Sequence, residues 1–474
     1  MYDIAQADLR RTVNRAWDDE ITPTLVDYIR IPNKSPAFEP DWEKLGHMEA
    51  AVAMFRDWAG ARLKKLPGAT MEILRLPGRT PLILIDAPGA VAGESVMLFG
   101  HLDKQPEMTG WAPGKGPWIP VIENDRLYGR GGADDGYALF SAMTALIALE
   151  EQGIKRARCV ILIEASEESG SPDLPYYMEE VASRLGDVGL VVCLDSGCGD
   201  YDRLWLTTSL RGLVGGTLRI DVLEEGVHSG DASGVVPSSF RILRLLLDRI
   251  DEATSGAVRD AVFHAEIPAD RRQQAKIAAA ALGEAVYRKF PFVHGMKPAR
   301  TELDELILNR TWRPALSVTG LDGAPNPANA GNVLRPFTAA KLSMRLPPTV
   351  DAEQASSALK RLLESDPPYG GRVSFKTEPP GTGWNANPTA PWLMEALNAA
   401  SMASWGQGVA MMGEGGTIPF MAMLGRAFPK SQFVVTGVLG PNSNAHGPNE
   451  FLDLPTGKRV TETVAHVVAA HGRR

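Results

Sequence analysis

The apolar positions of this chain fall into short unbroken runs that stop abruptly at charged residues. Residues 96–99 (VMLF) run straight into Gly100, His101 and Asp103. An apolar run without alternation predicts a strand buried on both faces, as in parallel sheets. Residues 159–163 repeat the pattern and end at Glu164, Glu167 and Glu168; residues 190–194 end at Asp195. A fourth run, 432–436, leads into a loop that carries His446. In open α/β sheets, sites form outside the carboxyl ends of the strands. The charged residues at these four ends are therefore the first candidates for chemistry.

Between the runs the period changes. Residues 5–29 read as an amphipathic helix with Leu9, Val13, Ala16 and Trp17 on one side, stopped by Ile31-Pro32 and Ser35-Pro36. Asp41 is placed to cap a second helix that runs to about Lys65. Residues 71–76 and 82–85 predict short strands. A Pro/Gly-rich loop over 104–127, with Trp111 and Trp118, leads to the glycine-rich turn 129–136 and a helix over 137–150. From about 209 to 384 the order becomes strand, helix, strand, strand, helix, strand, with 251–285 also expected to be helical. That order predicts a small antiparallel sheet with helices on one face. Helices over 391–403 and 458–469 complete the chain. The expected fold is α/β: a mixed, mostly parallel sheet flanked by helices, interrupted by an α+β insertion. The expected boundaries are 1–208 and 385–474 for the two segments of the first domain and 209–384 for the inserted one.

Composition narrows the class. The chain has 474 residues, 44% of them hydrophobic, enough for two cores. A net charge of −8 argues against nucleic acid as a partner, since phosphate binding needs a basic surface. The three cysteines, Cys159, Cys193 and Cys198, form no CxxC pair and support neither a thiolate metal site nor a disulfide framework. The segment MYDIAQADLRR does not read as a secretory leader, and no stretch approaches the about 18 apolar residues of a membrane span. A cytoplasmic protein is the expectation.

Each polar feature has a bland reading. His101 and Asp103 fit a structural His–Asp pair as well as a metal ligand and its carboxylate support. Asp134 and Asp135, at the start of a helix, complement its dipole. Glu167 and Glu168 could be a solvated loop tip. Together, however, His101, Asp103, Asp134, Glu167, Glu168, Asp195 and His446 form a nitrogen/oxygen set without thiolates. Such a set suits zinc, with manganese or cobalt possible. Two metals about 3.5–4 Å apart would explain the excess of carboxylates, and a carboxylate that is not a ligand could serve as general base.

The segments HLDKQP, GRGGADDG, EASEESGS, LDSG, GVHSG, GEGGTIP and NAHGPNE, in this order, resemble the dinuclear-zinc peptidases of clan MH. The likeness is to the carnosine dipeptidase and non-specific dipeptidase branch, with aminoacylase, carboxypeptidase G and succinyl-diaminopimelate desuccinylase as cousins. The resemblance implies two zinc ions per subunit: one held by His101 and Asp195, the other by Glu168 and His446, with Asp134 bridging. It makes Glu167 the general base and Asp103 the support of His101. It assigns His228, on the inserted domain, to the oxyanion in the partner subunit's site, and so implies a homodimer formed through a lid-like inserted domain. Asn332 and Arg345 would hold the oxyanion and the substrate carboxylate, with Gly415, Gly416 and Thr417 lining the pocket. Two positions depart from the family pattern: Gly136 stands where lysine is frequent, and Gly413 where arginine is frequent. Each departure removes a positive charge, and Tyr137 with the Trp111/Trp118 loop is expected to favour a bulkier acyl group.

The function expected is hydrolysis of an amide bond in a dipeptide or N-acyl amino acid by a metal-activated water. An N-acyl-amino-acid deacylase or carboxypeptidase is the alternative enzyme. A non-catalytic binding protein that keeps the fold is the alternative of a different class.

Overall fold

The computed structural model describes residues 4–474; the first three residues of the segment read as leaderless lie outside the described residues. The chain divides into two compact units, one of 1–208, 386–412 and 423–474, the other of 209–385 and 413–422.

The strands of the two main sheets, in chain order, are β1 (Thr70–Leu74), β2 (Leu82–Ala87), β3 (Val91–His101), β4 (Ala157–Glu164), β5 (Val188–Cys193), β6 (Gly212–Asp221), β7 (Ala315–Asp322), β8 (Phe337–Leu346), β9 (Arg372–Thr377) and β10 (Gln432–Val435). The first unit is built on a six-stranded sheet of order β1-β2-β4-β3-β5-β10. β3 runs parallel to both β4 and β5, and β10 parallel to β5, while β1 and β2 are antiparallel. The mixed α/β architecture expected from the sequence is therefore the one observed. Register pairs His101 with Glu164 and Phe99 with Cys193, so the carboxyl ends of β3, β4 and β5 lie level. Three of the four runs are buried as read, with every residue of β3 from Ser95 to His101 and every residue of β5 covered, while Gln432 and Phe433 on the edge strand β10 are half-buried. The helix Ala138–Glu151 has apolar residues all round and is buried from Ala138 to Leu149, the behaviour expected of an interior helix.

Several boundaries moved for local reasons. The helix expected over 5–29 is interrupted by a π-helical stretch, Trp17–Ile21, although Leu9, Val13 and Trp17 face the core as predicted. After Asp41 only a single helical turn forms, Trp42–Leu45; Asp41 makes no side-chain capping bond and instead pairs with Lys44 at 2.7 Å. Gly46, at φ +73°, breaks that stretch, and the long helix begins at His47. Within 251–285 only Ala269–Leu282 is a long helix; before it, Glu252 accepts the backbone N–H groups of Thr254 and Ser255 and holds a turn. The last helix starts early, at Leu454, because Asp453 caps it through Thr456 N at 3.0 Å.

The second unit carries a four-stranded antiparallel sheet of order β7-β8-β6-β9. Its helices Ser239–Leu247 and Ala352–Glu364 bury Ile242, Leu243, Leu246, Ala355 and Leu359 in one core with Leu218, Ile220, Leu342 and Met344 from the sheet. The segment 413–422 groups with this unit, whereas the sequence boundary at 385 assigned it to the other. The reason is local. A Cβ on Gly413 would lie 2.5 Å from Ser209 Oγ, and Thr417 donates to Arg211 O at 2.5 Å.

Candidate metal and catalytic centre

At the carboxyl edge of the parallel strands, five chain segments deliver side chains to one place. β3 ends on His101, which is fully buried. Gly100 allows a close approach there: a Cβ would fall 2.7 Å from Asp135 Oδ2 and 2.5 Å from Ala138 Cβ. Past β4 the chain turns through a short 3₁₀ stretch, Glu167–Ser169. Asp103 holds that turn by accepting the backbone N–H groups of Glu167 and Glu168, each at 3.0 Å. Past β5 comes Asp195. The glycine-rich turn brings in Asp134, whose peptide bond to Asp135 is cis.

His101 Nε2 lies 3.2 Å from Asp134 Oδ1, 3.8 Å from Asp195 Oδ2 and 4.0 Å from Glu167 Oε2. Its Nδ1 faces Asp103 Oδ1 at 3.4 Å. His446 Nε2 lies 3.0 Å from Asp134 Oδ2 and 3.2 Å from Glu168 Oε2. Two overlapping groups have donor atoms within 4.8 Å of one another, His101/Glu167/Asp195 and His101/Asp134/Glu168. Asp134 thus touches both imidazoles, one oxygen to each.

The electrostatics define what the cluster can hold. Burial, together with the nearby Asp195 carboxylate, pushes Glu167 well above the usual carboxylate range; burial and Asp134 do the same to Glu168. Burial also raises Asp195. Burial alone would depress His101, but contacts with Asp103, Asp134 and Asp195 hold it well above an ordinary histidine. Asp134 resists its own burial and is held low by His101 and His446. Packed together, these carboxylates oppose one another's ionisation unless a cation joins them. A nitrogen/oxygen donor set with a surplus of acids matches divalent cations in number and type.

The side chains expected from the second unit form two groups. His228 and Asn332 lie on facing segments of a two-residue ribbon: His228 pairs with Val333, Ser229 N donates to Asn332 O at 2.9 Å, and both His228 and Asn332 are exposed. Arg345 donates to Thr417 Oγ1 at 3.1 Å. Arg211, which sequence reasoning missed, donates to Gly415 O at 3.2 Å, while Gly416 is exposed. Burial, with Arg345 and Arg310 nearby, lowers Arg211 to about 10. Arg211 and Arg345 thus place positive charge beside the segment 415–417 of this unit. The one signal for Arg211 was its place between two strand-like stretches, 205–208 and 211–222.

One further expectation is corrected, and one departure is explained. Tyr137 is fully buried and donates to Leu194 O at 2.6 Å, so it is a core side chain and selects no acyl group. Gly136 has no room for lysine, since a Cβ would lie 2.4 Å from the Tyr28 ring and 2.6 Å from Gly131 O. Trp111, in the neighbouring loop, is tied to Glu107 O at 2.9 Å.

A buried, acid-rich cluster at the carboxyl edge of an α/β sheet is the kind of site from which metal-dependent hydrolases are built. Residues 97–470 match peptidase family M20/M25/M40, and the chain belongs to that family. It is 25% identical over 435 residues to a cysteinylglycine-S-conjugate dipeptidase of Corynebacterium striatum, covering 90% of each chain. Its fold is similar to that of human carnosine dipeptidase 1 (TM-score 0.75, 18% identity, 100% of both chains). It is likewise similar to the yeast dipeptidase Dug1p of Saccharomyces cerevisiae (TM-score 0.74, 20% identity, 99% of both chains).

Proposed function

We propose that this protein hydrolyses the amide bond of dipeptides, using two zinc ions bound by the buried cluster. The observation that carries the reading is Asp134, whose two oxygens face His101 and His446 separately. One carboxylate thus reaches two donor groups, as a bridging ligand must. His101 and Asp195 would hold one ion, and Glu168 and His446 the other. Bound there, the ions would supply Lewis acidity toward the scissile carbonyl and acidify a water molecule.

The residues of the chain supply the remainder. Glu167, raised by burial and by Asp195, would accept the proton of the attacking water and return it to the leaving amine. Asp103 would fix the His101 ring through Nδ1 and, through two backbone N–H groups, the position of Glu167 itself. His228 and Asn332, side by side on their ribbon, would act on the oxyanion. Arg345, oriented by Thr417, would pair with the substrate carboxylate, and Gly415 and Gly416 would line the pocket.

In this reading the protein is a homodimer formed through the second unit, with His228 serving the partner's site, and it is cytoplasmic. Burial raises the Cys159 thiol to about 11, in keeping with an unreactive, unpaired core cysteine. No helix among the described residues is long and apolar enough to cross a membrane.

A panel of dipeptides and N-acyl amino acids, assayed with zinc-loaded protein, tests the substrate class. Turnover of dipeptides above that of N-acyl amino acids is expected; the reverse order would make the protein a deacylase instead.

A further inference from the structure

His446 sits in an irregular loop that leads into the short strand Phe451–Asp453, paired with Arg126–Tyr128. The loop over 440–450 has left-handed φ at Asn442, Asn444, His446 and Asn449, between +54° and +65°. Asparagine tolerates this region; histidine adopts it less readily. The His446 side chain is 55% exposed, so its ring is not fixed by packing. The strand pair fixes the far end of the loop, and Asn449 accepts Ala112 N at 2.8 Å; nearer His446 the backbone is held by side chains.

The holding contact is buried behind the centre. Arg130 and Glu450 are 1% and 0% exposed and form an ion pair through Arg130 Nη1. Arg130 Nη2 donates to Gly447 O at 3.0 Å, the carbonyl directly after His446. Glu450 accepts Gly131 N on its other carboxylate oxygen at 2.8 Å, and its own carbonyl accepts Gly129 N at 3.0 Å. The turn 129–136 carries Asp134, and the loop 440–450 carries His446. Four interactions therefore tie together the two segments that supply these side chains, 320 positions apart in sequence between Arg130 and Glu450.

A buried ion pair is a poor device for stability, because desolvation offsets most of the attraction and an apolar pair of similar volume is often as stable. An apolar pair could not grip the Gly447 carbonyl and the Gly131 N–H at once. We infer that Arg130 and Glu450 are positioning residues that hold His446 against Asp134, so that they govern the metal position built on His446 and Glu168 far more than the one built on His101 and Asp195. This inference rests on the two-metal reading above.

The test titrates metal-free wild type, Arg130→Met and Arg130→Lys with zinc alone against a competing chelator. Wild type is expected to take two equivalents. Arg130→Met is expected to bind the first within a few-fold of wild type and the second about 10–100-fold more weakly, the usual effect of losing a contact that supports a ligand. Arg130→Lys, which can keep one of the two grips, should fall between. A second equivalent of unchanged affinity, or equal weakening of both, would overturn the inference. Wild type that takes up no zinc would instead remove the metal reading itself. If near-ultraviolet circular dichroism shows that Arg130→Met does not fold, Glu450→Gln is titrated in its place. That variant keeps the shape and removes the charge, and the same selective loss of the second equivalent is required of it.

Discussion

Asp103 makes three contacts through one carboxylate: it faces His101 Nδ1 at 3.4 Å and accepts the N–H groups of both Glu167 and Glu168 at 3.0 Å. The end of β3 and the turn after β4 are thereby fixed to each other. Asp103→Asn keeps the shape but loses the charge and one acceptor. Zinc affinity is expected to fall about 10–100-fold, read by chelator competition. Affinity equal to wild type would show that the contact with His101 is incidental.

Glu167 is expected to separate binding from chemistry. Glu167→Ala should lower turnover at least ~10²-fold while zinc content, measured by elemental analysis, stays near wild type. Full activity in this variant would assign the proton transfer elsewhere. Loss of one zinc equivalent would make Glu167 a ligand, a role its place in the His101/Glu167/Asp195 group also permits.

His228→Ala is expected to be inactive and still dimeric. Mixed with His101→Ala and allowed to exchange subunits, it should regain part of the activity, because one site in each heterodimer receives an intact centre and an intact histidine. No recovery after exchange verified by mass spectrometry would place His228 in its own subunit's site or outside catalysis.

Arg345→Met is expected to raise KM for dipeptides with a free carboxylate about 10–100-fold, the range for a lost charge-assisted hydrogen bond. Carboxyl-amidated dipeptides should be nearly unaffected. Equal loss on both would mean that Arg345 only supports Thr417.

His466 gives a pH dependence away from the centre. It is 6% exposed, its Nε2 lies 2.8 Å from Gln6 Oε1, and burial lowers it to about 4. Below pH 6.5 the unfolded chain therefore binds a proton that the native chain refuses, so stability falls as pH drops from about 6.5 toward 4. Between pH 7.5 and pH 5 this group should remove about 2 kcal/mol. Urea denaturation of wild type and His466→Gln at both pH values measures it: the variant should lose less stability on acidification. An identical loss in both proteins would rule this group out.

The central sheet was legible because unbroken apolar runs leave few alternatives to a doubly covered strand, and the residues at their ends were then candidates by position. The breaks were not legible. Nothing in the period of 5–29 marks the π-helical stretch at Trp17–Ile21, and Asp41 has the composition of a cap without the geometry. Arg130, Glu450 and Arg211 were missed for another reason. Each lies in a loop or at a strand end, where no period constrains it, and its partners are distant in sequence. Tyr137 was misread because its neighbour Asp134 is in the centre while its own ring points into the core. Side-chain direction at a turn is set by tertiary packing, which sequence spacing does not encode.

The most direct measurement is turnover of a dipeptide by the purified protein before and after exhaustive chelation, with metal content followed by elemental analysis. The account predicts two zinc equivalents per chain, loss of turnover as they are removed, and recovery when zinc is restored. Undiminished hydrolysis by protein shown to be metal-free would contradict it.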